Sequence, residues 1–463
     1  MGTGPLACIR AWIAGVVLMA LAGCTMPVVD RSVLEEARAT PVRLEGSRGP
    51  LSYSQSQAIL GELKKRTPET SIYDRHLAVE ESVAGSKLTL GNKATLLEDG
   101  EAAYPAMLTA IRSARRSVHV EVYIFDEGQM GEAFAQALLS RAKEGVKVRV
   151  VYDAVGSAKT SREFFETLRK GGVQVHAFRP VDPATVLKKG PGINQRNHRK
   201  LLIVDSRVAF LGGLNISEVY AGDSSGRSGV PFEERAWRDT QLQVEGPVVN
   251  DLQKTFAELW ERETKEKIED PTLFPQQANA GALAVRALEG NSDLGLNPLY
   301  VTFVSAIASA ESEIHITMAY FVPDPQLLEE LKAAAKRGVD VKLVLPSRTD
   351  GWLVFHAGRS FYTELLDAGV KIYERRNRLL HSKYAVVDGV WSTVGSSNLD
   401  WRSLLHNLEL NVVVLGPEFG GRVEALFQKD LSYSTEITRE KWAARPIQDR
   451  VRETAARSWA YLL

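Results

Sequence analysis

The chain contains an internal duplication, which limits the possible folds more than any other feature of its sequence. The segment AIRSARRSVHVEVYIF (residues 110–125) aligns with AIASAESEIHITMAYF (306–321), and six of the sixteen residues are identical. Two further pairs of segments align in the same order: GVKVRVVYD (145–153) with GVDVKLVLP (338–346), and GGVQVHAF (171–178) with AGVKIYER (368–375). Internal self-similarity of this kind indicates that one structural unit occurs twice.

Each copy has the pattern strand, helix, strand, helix, strand. The strands are short, rich in β-branched residues and almost continuously apolar, as expected when helices cover both faces of a largely parallel sheet. The intervening helices, such as residues 131–145 and 325–338, are rich in helix-forming residues and end at glycine. The sequence therefore predicts an α/β fold built from two repeats.

A polar motif follows the last strand of each copy. It reads HRKLLIVD at 198–205 and HSKYAVVD at 381–388, and both segments are predicted to form β-hairpins. The motif aspartates, Asp205 and Asp388, fall at the hairpin turns. Their simplest role is structural, either holding the turn or pairing with a neighbour.

The remaining motif residues point to one kind of chemistry. Residues i and i+2 of a strand share a face, so His198 and Lys200 point the same way, as do His381 and Lys383. An asparagine follows each motif at the same distance; the two are Asn215 and Asn398. If the copies pack about a pseudo-two-fold axis, these six groups converge on one site.

Such a site suits a phosphodiester. Ammonium and amide donors bind the non-bridging oxygens and the charge that develops in the transition state. One imidazole can attack phosphorus while the other, protonated, gives its proton to the departing alkoxide. The two imidazoles are expected to titrate as a coupled pair.

Composition excludes several other classes of protein. The chain has 57 basic and 57 acidic residues, and this neutral balance argues against a general nucleic-acid-binding protein. It has no His-x-x-x-His or paired-cysteine ligand pattern, so we expect no metal at the site and no cofactor. His119 and His315 occupy equivalent strand positions without lysine or asparagine partners, and we interpret both as structural.

The paired motifs resemble the HKD motifs of the phospholipase D superfamily, and the flanking sequence is most similar to bacterial cardiolipin synthases. The similarity extends from about residue 89 to the C-terminus. The segments that carry it include LGNKATLLEDGEAAYPAMLTAI (90–111), WRDTQLQVEGPVVNDLQKTFAELW (237–260), LLHSKYAVVDGVWSTVGSSNLDWRS (379–403) and NLELNVVV (407–414).

This resemblance implies a fold and a division of roles. The fold would consist of duplicated phospholipase D-like α/β/α sandwich units with mixed, mostly parallel sheets and an active site at the pseudo-two-fold interface. His198 would be the nucleophile, and His381 would act first as acid and then as base. Asp239 and Glu409 match the carboxylates that orient the two imidazoles in the family.

The resemblance also implies a phospholipid substrate. The expected reaction condenses two phosphatidylglycerols to cardiolipin and glycerol. A hydrolytic phospholipase D and a phosphodiesterase or nuclease with the same site remain alternatives, and so does a lipid-binding scaffold that has lost activity. The intact motifs count against the scaffold.

The first 24 residues differ from the rest of the chain. Arg10 is their only charged residue, and an apolar run of 13 residues ends just before Cys24. This run has the length of a signal-peptide core, and LAGC (21–24) resembles a bacterial lipobox. We therefore expect Cys24 to be lipidated, with an ordinary signal peptide or an uncleaved anchor as the alternative. Thr25 weakly favours the outer membrane over the inner membrane of the cell envelope.

These features divide the chain into five parts. The expected parts are a lipoprotein signal peptide (1–23), a tether and N-terminal segment with one short helix near 56–66 (24–88), a first repeat (89–268), a linker (269–282) and a second repeat with a helical tail (283–463).

Overall fold

The computed structural model describes residues 28–67, 69–181, 195–221, 236–291 and 296–463. Cys24 and the expected signal peptide lie outside these residues. Within the described ranges, no helix is both long enough and apolar enough to cross a membrane.

The first repeat follows the predicted alternation of strands and helices. Its elements are β3 (Leu88–Glu98), α4 (Asp99–Ser113), β4 (Ser117–Val122), α5 (Gln129–Lys143), β5 (Lys147–Asp153), α6 (Arg162–Lys170), β6 (Gln174–Phe178), β7 (Leu201–Val204), β8 (Val208–Gly212), β9 (Thr240–Glu245) and α7 (Val248–Thr264). The side chain of Ser161 caps the start of α6 by accepting from the backbone N–H of Phe164, which satisfies one of the free donors at that helix end.

The second repeat has the same order of elements with small additions. It contains β10 (Leu283–Gly290), α8 (Pro298–Ser309), β11 (Glu313–Met318), β12 (Phe321–Val322), α9 (Pro325–Lys336), β13 (Asp340–Pro346), α10 (Trp352–Arg359), α11 (Tyr362–Asp367), β14 (Lys371–Arg375), β15 (Lys383–Val387), β16 (Trp391–Gly395), β17 (Leu399–Asp400), α12 (Trp401–Leu405), β18 (Glu409–Leu415), α13 (Pro417–Ser432), β19 (Ser434–Ile437), α14 (Arg439–Ala443) and α15 (Ile447–Arg457).

The two sheets are mixed and share one strand order. In the first repeat the order is β6-β5-β4-β7-β8-β9-β3, and in the second it is β14-β13-β11-β15-β16-β18-β10. The expected parallel pairing holds where helices connect the strands, between β4, β5 and β6 and between β11, β13 and β14. The hairpin strands that carry the motifs pair antiparallel. The duplicated α/β architecture predicted from the sequence is therefore confirmed.

The two repeats share a continuous apolar core. Strand β3 pairs with β10, which joins the two sheets at their edges. A single cluster of buried side chains contains residues from the motif hairpins of both repeats: Leu201, Ile203, Leu211, Tyr384, Val386 and Val394. Burial of apolar surface on this scale fixes the two repeats relative to each other.

The N-terminal segment is folded over residues 28–67 and 69–88, so the expectation of a tether is wrong for these residues. Besides the predicted helix, which is α2 (Tyr53–Lys65), it forms α1 (Arg31–Ala37), β1 (Leu44–Gly46), β2 (Gly49–Pro50), a π-helical turn (Ile72–His76) and α3 (Leu77–Val83). Leu44, Ile72 and Leu77 join the outer core of the second repeat. The segment lacks clear hydrophobic periodicity because its elements are short and its contacts are with another part of the chain.

Candidate active site

Each motif histidine lies where its own repeat touches the other one. The backbone N–H of His198 donates to the carbonyl of Leu408 at 3.0 Å, and that of His381 donates to the carbonyl of Arg238 at 2.7 Å. These contacts belong to two short parallel bridges, Asn197 with Leu408 and Arg238 with Leu380. The exchange is reciprocal, so the two histidines occupy equivalent positions about the pseudo-two-fold axis.

Each imidazole is paired with a carboxylate of the other repeat. Nδ1 of His198 is 2.9 Å from Glu409 Oε1, and Nδ1 of His381 is 2.7 Å from Asp239 Oδ2. Both carboxylates are fully buried. A carboxylate at Nδ1 fixes the tautomer and leaves Nε2 as the nitrogen that can react. The sequence placed these four residues at one site, and the structure adds that each pair crosses between the repeats.

Each motif lysine contacts the backbone of its own motif histidine. Lys200 Nζ donates to the carbonyl of His198 at 2.5 Å and also lies 5.3 Å from the centre of the Tyr123 ring. Lys383 Nζ donates to the carbonyl of His381 in the same way. Each lysine is thus held by the backbone of its own motif, close to the motif histidine.

The two asparagines have different surroundings. Asn215 accepts from the backbone N–H of Ile124 at 3.0 Å and donates to the hydroxyl of Tyr220 at 3.0 Å. Asn398 is buried, and its Oδ1 has no hydrogen-bond partner among the described residues. Since a buried polar atom without a partner is costly, this atom is available to a bound group.

Burial controls the protonation of both histidines. Burial is the main cause that lowers the pKa of His198 to about 4. Lys200 lowers this pKa further, and Glu409 raises it by less than burial lowers it. Burial and the nearby Lys383 also hold the pKa of His381 well below its ordinary value, and His198 contributes. At neutral pH the site without substrate therefore holds neutral imidazoles, which are competent to attack phosphorus.

The other charged groups are shifted as well. Burial lowers the pKa of Lys200 to about 7 and that of Lys383 to about 8. Burial raises the pKa of Asp239 to about 7. For Glu409 burial acts in the same direction, but His198, Lys200 and Ser396 together hold its pKa below the ordinary value. A site with such strongly shifted ionisable groups in a cleft is typical of catalysis.

Both histidines open onto one cavity of about 240 Å³ between the repeats. Asn215 and Asn398 also line it. Further lining residues that sequence reasoning missed are Tyr123, Arg196, Tyr220, Trp237, Tyr320, Asp350, Asp400, Arg402, Ser403 and Asn407. Tyr220 and Trp237 pack against the His381 ring, with centroids 5.6 and 5.5 Å away. Their nearness in sequence to Asn215 and Asp239 was the available signal.

The motif aspartates lie away from the cavity, at the hairpin turns. Asp205 accepts hydrogen bonds from the backbone N–H groups of residues 115–117, and Asp388 accepts from those of residues 311–313. Both have positive φ, 53° and 49°, a conformation that aspartate tolerates better than most residues. These contacts support the structural interpretation of the two residues.

His119 and His315 also lie away from the cavity. Each ring is stacked on a phenylalanine, Phe256 at 4.6 Å and Phe427 at 4.5 Å. Among the described residues, the one group of histidine and carboxylates close enough to hold an ion is Glu313, His315 and Glu424. An ion there would have to replace the 2.7 Å hydrogen bond between His315 and Glu424.

A duplicated α/β fold with two His-Lys-Asn sets at the repeat interface is the arrangement of the phospholipase D-like class. The sequence matches the family described as "Cardiolipin synthase, PLD-like domain" over residues 107–225 and 303–431. The chain belongs to this family, which confirms the resemblance found in the sequence.

Individual relatives cover most of the chain. It is 35% identical over 378 residues to a cardiolipin synthase of Geobacillus kaustophilus, covering 81% of this chain and 73% of that protein. It is 38% identical over 349 residues to cardiolipin synthase A of Pseudomonas aeruginosa, covering 75% and 69%. The crystal structure of phosphatidylserine synthase from Haemophilus influenzae has the same fold, with a TM-score of 0.61 at 13% identity, covering 80% of this chain and 95% of that one.

Proposed function

We propose that this chain is a phosphatidyltransferase that condenses two phosphatidylglycerols to cardiolipin and glycerol. The observation that carries the proposal is the pair of buried His-carboxylate contacts, His198 with Glu409 and His381 with Asp239, facing one cavity. The relatives named cardiolipin synthase support phosphatidylglycerol as the substrate.

The first half-reaction forms a covalent intermediate. Nε2 of neutral His198 attacks the phosphorus of the first lipid, and the bond from phosphorus to the head-group glycerol oxygen breaks. His381, protonated when the anionic diester raises its pKa, gives its proton to that oxygen. The products of this step are free glycerol and a phosphatidyl group bonded to His198. Lys200 and Lys383 stabilise the charge on the non-bridging oxygens.

The second half-reaction returns the enzyme to its starting state. A glycerol hydroxyl of a second phosphatidylglycerol attacks phosphorus, and the phosphorus–nitrogen bond to His198 breaks. His381 takes the proton of the attacking hydroxyl and is ready for the next turnover. The product is cardiolipin, and atoms and charge balance over the two steps.

Competition between lipid and water decides whether the reaction is transfer or hydrolysis. The wall of the cavity includes aromatic rings, among them Tyr220, Trp237 and Tyr320. A site that excludes water favours attack by a bound hydroxyl group. A membrane surface also raises the effective concentration of the second lipid.

The test is product analysis by mass spectrometry after purified protein has acted on phosphatidylglycerol vesicles. We expect mainly cardiolipin and free glycerol, and we expect added glycerol to drive the reaction backward. The matched control is His198→Asn, which should give neither product. Phosphatidic acid as the dominant product at every lipid density would contradict the synthase proposal and support a hydrolase.

We also propose that the protein is anchored in the bacterial cell envelope through a lipid on Cys24, on the periplasmic or outer face. The LAGC sequence supports this, and Thr25 favours the outer membrane. Val29 is buried and its backbone bonds to Gln326, so only residues 25–28 separate Cys24 from the folded body. That stretch reaches at most about 18 Å, which holds the body close to the membrane. Radiolabelled palmitate should label the wild type but not Cys24→Ala.

A further inference from the structure

The C-terminal helix α15 presents its large apolar side chains to solvent. Ile447 and Val451 are 70% and 63% exposed, and beyond the helix Trp459 and Leu462 are 50% and 54% exposed. The face that packs on the protein instead carries Glu453, Ala456 and Ala460. A surface helix of a soluble protein normally has the opposite arrangement, with its large apolar residues facing the core.

Ion pairs hold the helix in this orientation. The buried Glu453 accepts from Nε of Arg445 at 2.8 Å and lies 3.4 Å from Nε of Arg359, which is in α10. The small side chains of Ala456 and Ala460 let the helix and the following turn approach the protein closely. Among the described residues, the packing of α15 therefore leaves its outer apolar side chains uncovered.

The outer face has the pattern of a helix that lies in a membrane interface. Ile447, Val451 and Ala455 are spaced four residues apart, so they form one stripe along the helix. Exposed arginines flank the stripe at positions 450, 452 and 457. Apolar residues flanked by basic ones favour insertion of the stripe below the head groups of anionic lipids.

The helix packs close to the elements that form the wall of the candidate active site. The helix packs on α10, which begins two residues after Asp350, a residue of the cavity wall. At the start of α10, Trp352 is 57% exposed, and tryptophan is favoured at membrane interfaces. The end of the chain contacts α12, where the carbonyl of Leu463 accepts from the backbone N–H of Arg402, another residue of the cavity wall.

The N-terminal end of the described chain lies against the same element. Leu404 of α12 is in one apolar cluster with Val29 and Leu34. Cys24, the proposed lipidation site, precedes this end by only a few residues. A lipid on Cys24 would therefore lie within a short distance of the helix that also contacts the C-terminal turn.

We propose that α15, the turn that follows it and Trp352 form a surface that docks on an anionic phospholipid bilayer. Docking there would bring the mouth of the cavity to the lipid head groups. The proposal deepens the proposed function, because it assigns the face through which a lipid substrate reaches the site.

The test uses the full chain with Cys8 and Cys24 replaced by serine and one new cysteine, Val451→Cys, that carries an environment-sensitive fluorophore. The matched control is Phe274→Cys, because Phe274 is also exposed but lies beside the Asp205 turn, at the opposite end of the motif hairpin from His198. With phosphatidylglycerol vesicles that contain nitroxide-labelled lipids, we expect strong quenching at position 451 and little at position 274. Equal quenching at both positions, or none at 451, would overturn the proposal.

A second measurement separates docking from catalysis. Replacing Ile447, Val451 and Trp459 together by serine should lower the rate on vesicles by about 100-fold, because three apolar side chains no longer enter the interface. The rate on a water-soluble, short-chain phosphatidylglycerol should not change, and Phe274→Ser should change neither rate. Unchanged vesicle activity in the triple variant would overturn the docking surface. A wild type inactive on both substrates would contradict the proposed function, and the quenching result would still test the surface.

A second copy of the chain is the other possible occupant of this face. Sedimentation without lipid should show the same molecular mass for the wild type and the triple variant. A wild-type dimer that the triple substitution dissociates would overturn the membrane proposal.

Discussion

The two repeats hold their histidines in equivalent positions but give them different surroundings. The carboxylate behind His198 is Glu409, whose pKa is held below its ordinary value by His198, Lys200 and Ser396 despite its burial. The carboxylate behind His381 is Asp239, whose pKa is raised to about 7 by burial. The two carboxylates therefore give the two imidazoles different electrostatic surroundings.

One position accounts for part of this difference. Ser396 donates its hydroxyl hydrogen to Glu409 Oε2 at 2.5 Å. The equivalent residue of the first repeat is Gly213, and a Cβ there would lie 2.0 Å from Asp239 Oδ1. The first repeat therefore has no room for a hydroxyl donor at this position, whereas the second repeat provides one. A hydrogen bond to the ionised form lowers the pKa of a carboxyl group.

The residue before each carboxylate differs too. Leu408 precedes Glu409 and belongs to the apolar core between the sheets. Arg238 precedes Asp239 and is buried between two carboxylates, with Nε 2.8 Å from Asp430 and Nη1 3.1 Å from Asp99. The two repeats therefore make equivalent backbone contacts, but the residue before the carboxylate packs in an apolar core in the second repeat and forms ion pairs in the first.

These differences fit the division of roles between the histidines. An ionised Glu409 supports His198 as a nucleophile, because it stabilises the positive charge that the ring gains on attacking phosphorus. Because the pKa of Asp239 is about 7, the His381–Asp239 pair can hold a proton at neutral pH. A pair that first gives a proton to the leaving group and then takes one from the attacking hydroxyl needs this property.

Replacing the histidines gives the largest expected effect and tests the roles directly. His198→Asn and His381→Asn should each lower kcat by about 10⁴-fold or more, since each removes a group that takes part in bond breaking. Quenching in denaturant at mildly alkaline pH, where a phosphorus–nitrogen bond is stable, followed by peptide mapping should find the phosphatidyl phosphorus on His198 in the wild type, and a trace should persist in His381→Asn. Phosphate on the peptide that contains His381 would reverse the two roles.

Replacing the two carboxylates should affect kcat to different extents in the two repeats. Glu409→Gln is expected to lower kcat by about 10³-fold, because it removes a full charge beside the nucleophile, and Asp239→Asn by about 10²-fold, because that group is already partly protonated at neutral pH. Steady-state kinetics at pH 7 on both variants, with circular dichroism to confirm folding, makes the comparison. Equal losses would mean that the pKa difference between the two carboxyl groups has no consequence for catalysis.

The fold could be predicted from the sequence because the patterns that indicate it are local and occur in both repeats. Alternating apolar segments and helix ends at glycine identified the α/β repeats, and the spacing of His198 and Lys200 is a local feature that precedes strand β7. The family resemblance added Asp239 and Glu409. Which carboxylate faces which histidine depends on how the repeats pack, and that information lies in contacts between residues 211 and 142 positions apart.

The N-terminal segment shows where sequence reasoning fails. Glu80 in α3 pairs with the buried Arg286 of the second repeat at 3.1 Å and accepts from the indole N–H of Trp391 at 3.0 Å. Such contacts leave no periodic pattern, because their partners lie on other elements. A polar, irregular segment therefore looked like a tether although it packs on the second repeat.

The ionic anchor next to Asp239 can be broken by one substitution. Arg238→Leu imitates Leu408 and leaves Asp430 and Asp99 buried without this partner, so we expect a loss of about 3–5 kcal/mol in the free energy of unfolding. Urea denaturation measures the loss, and Leu408→Met, a volume-conserving change at the equivalent position, should cost less than about 1.5 kcal/mol. A loss below that of the control would show that the cluster does not stabilise the repeat interface.

The hydroxyl that distinguishes the two carboxylates can be removed. Ser396→Gly gives the second repeat the residue of the first, and losing one hydrogen bond to an ionised group should lower kcat by about tenfold. The pH dependence of kcat should shift as well, because the pKa of Glu409 is expected to rise. Ser397→Gly is the control, since the Ser397 hydroxyl donates to the carbonyl of Asn398 and not to a site carboxylate. An unchanged pH profile in Ser396→Gly would contradict this account of the difference.

The smallest expected effect concerns protons taken up with an anion. Burial lowers the pKa of Lys200 to about 7 and that of Lys383 to about 8, so at pH 8 Lys200 is mostly neutral and Lys383 is about half protonated. A phosphate between them raises both pKa values, because the anion favours the charged form of each amine, and binding must therefore take up protons. Calorimetric titration with inorganic phosphate, at pH 8 in two buffers of different ionisation enthalpy, measures the number. Lys200→Met should remove more of the uptake than Lys383→Met, because Lys200 has more of its proton still to gain. Proton release on phosphate binding would mean that both lysines carry their full charge before any substrate arrives.

The same lowered pKa values predict that the free energy of unfolding without phosphate rises between pH 7 and pH 10, because unfolded lysines bind more protons than folded ones in this range. Urea denaturation at several pH values measures this dependence. A free energy of unfolding that falls over this range would mean that the pKa values of the two lysines are not lowered in the folded protein.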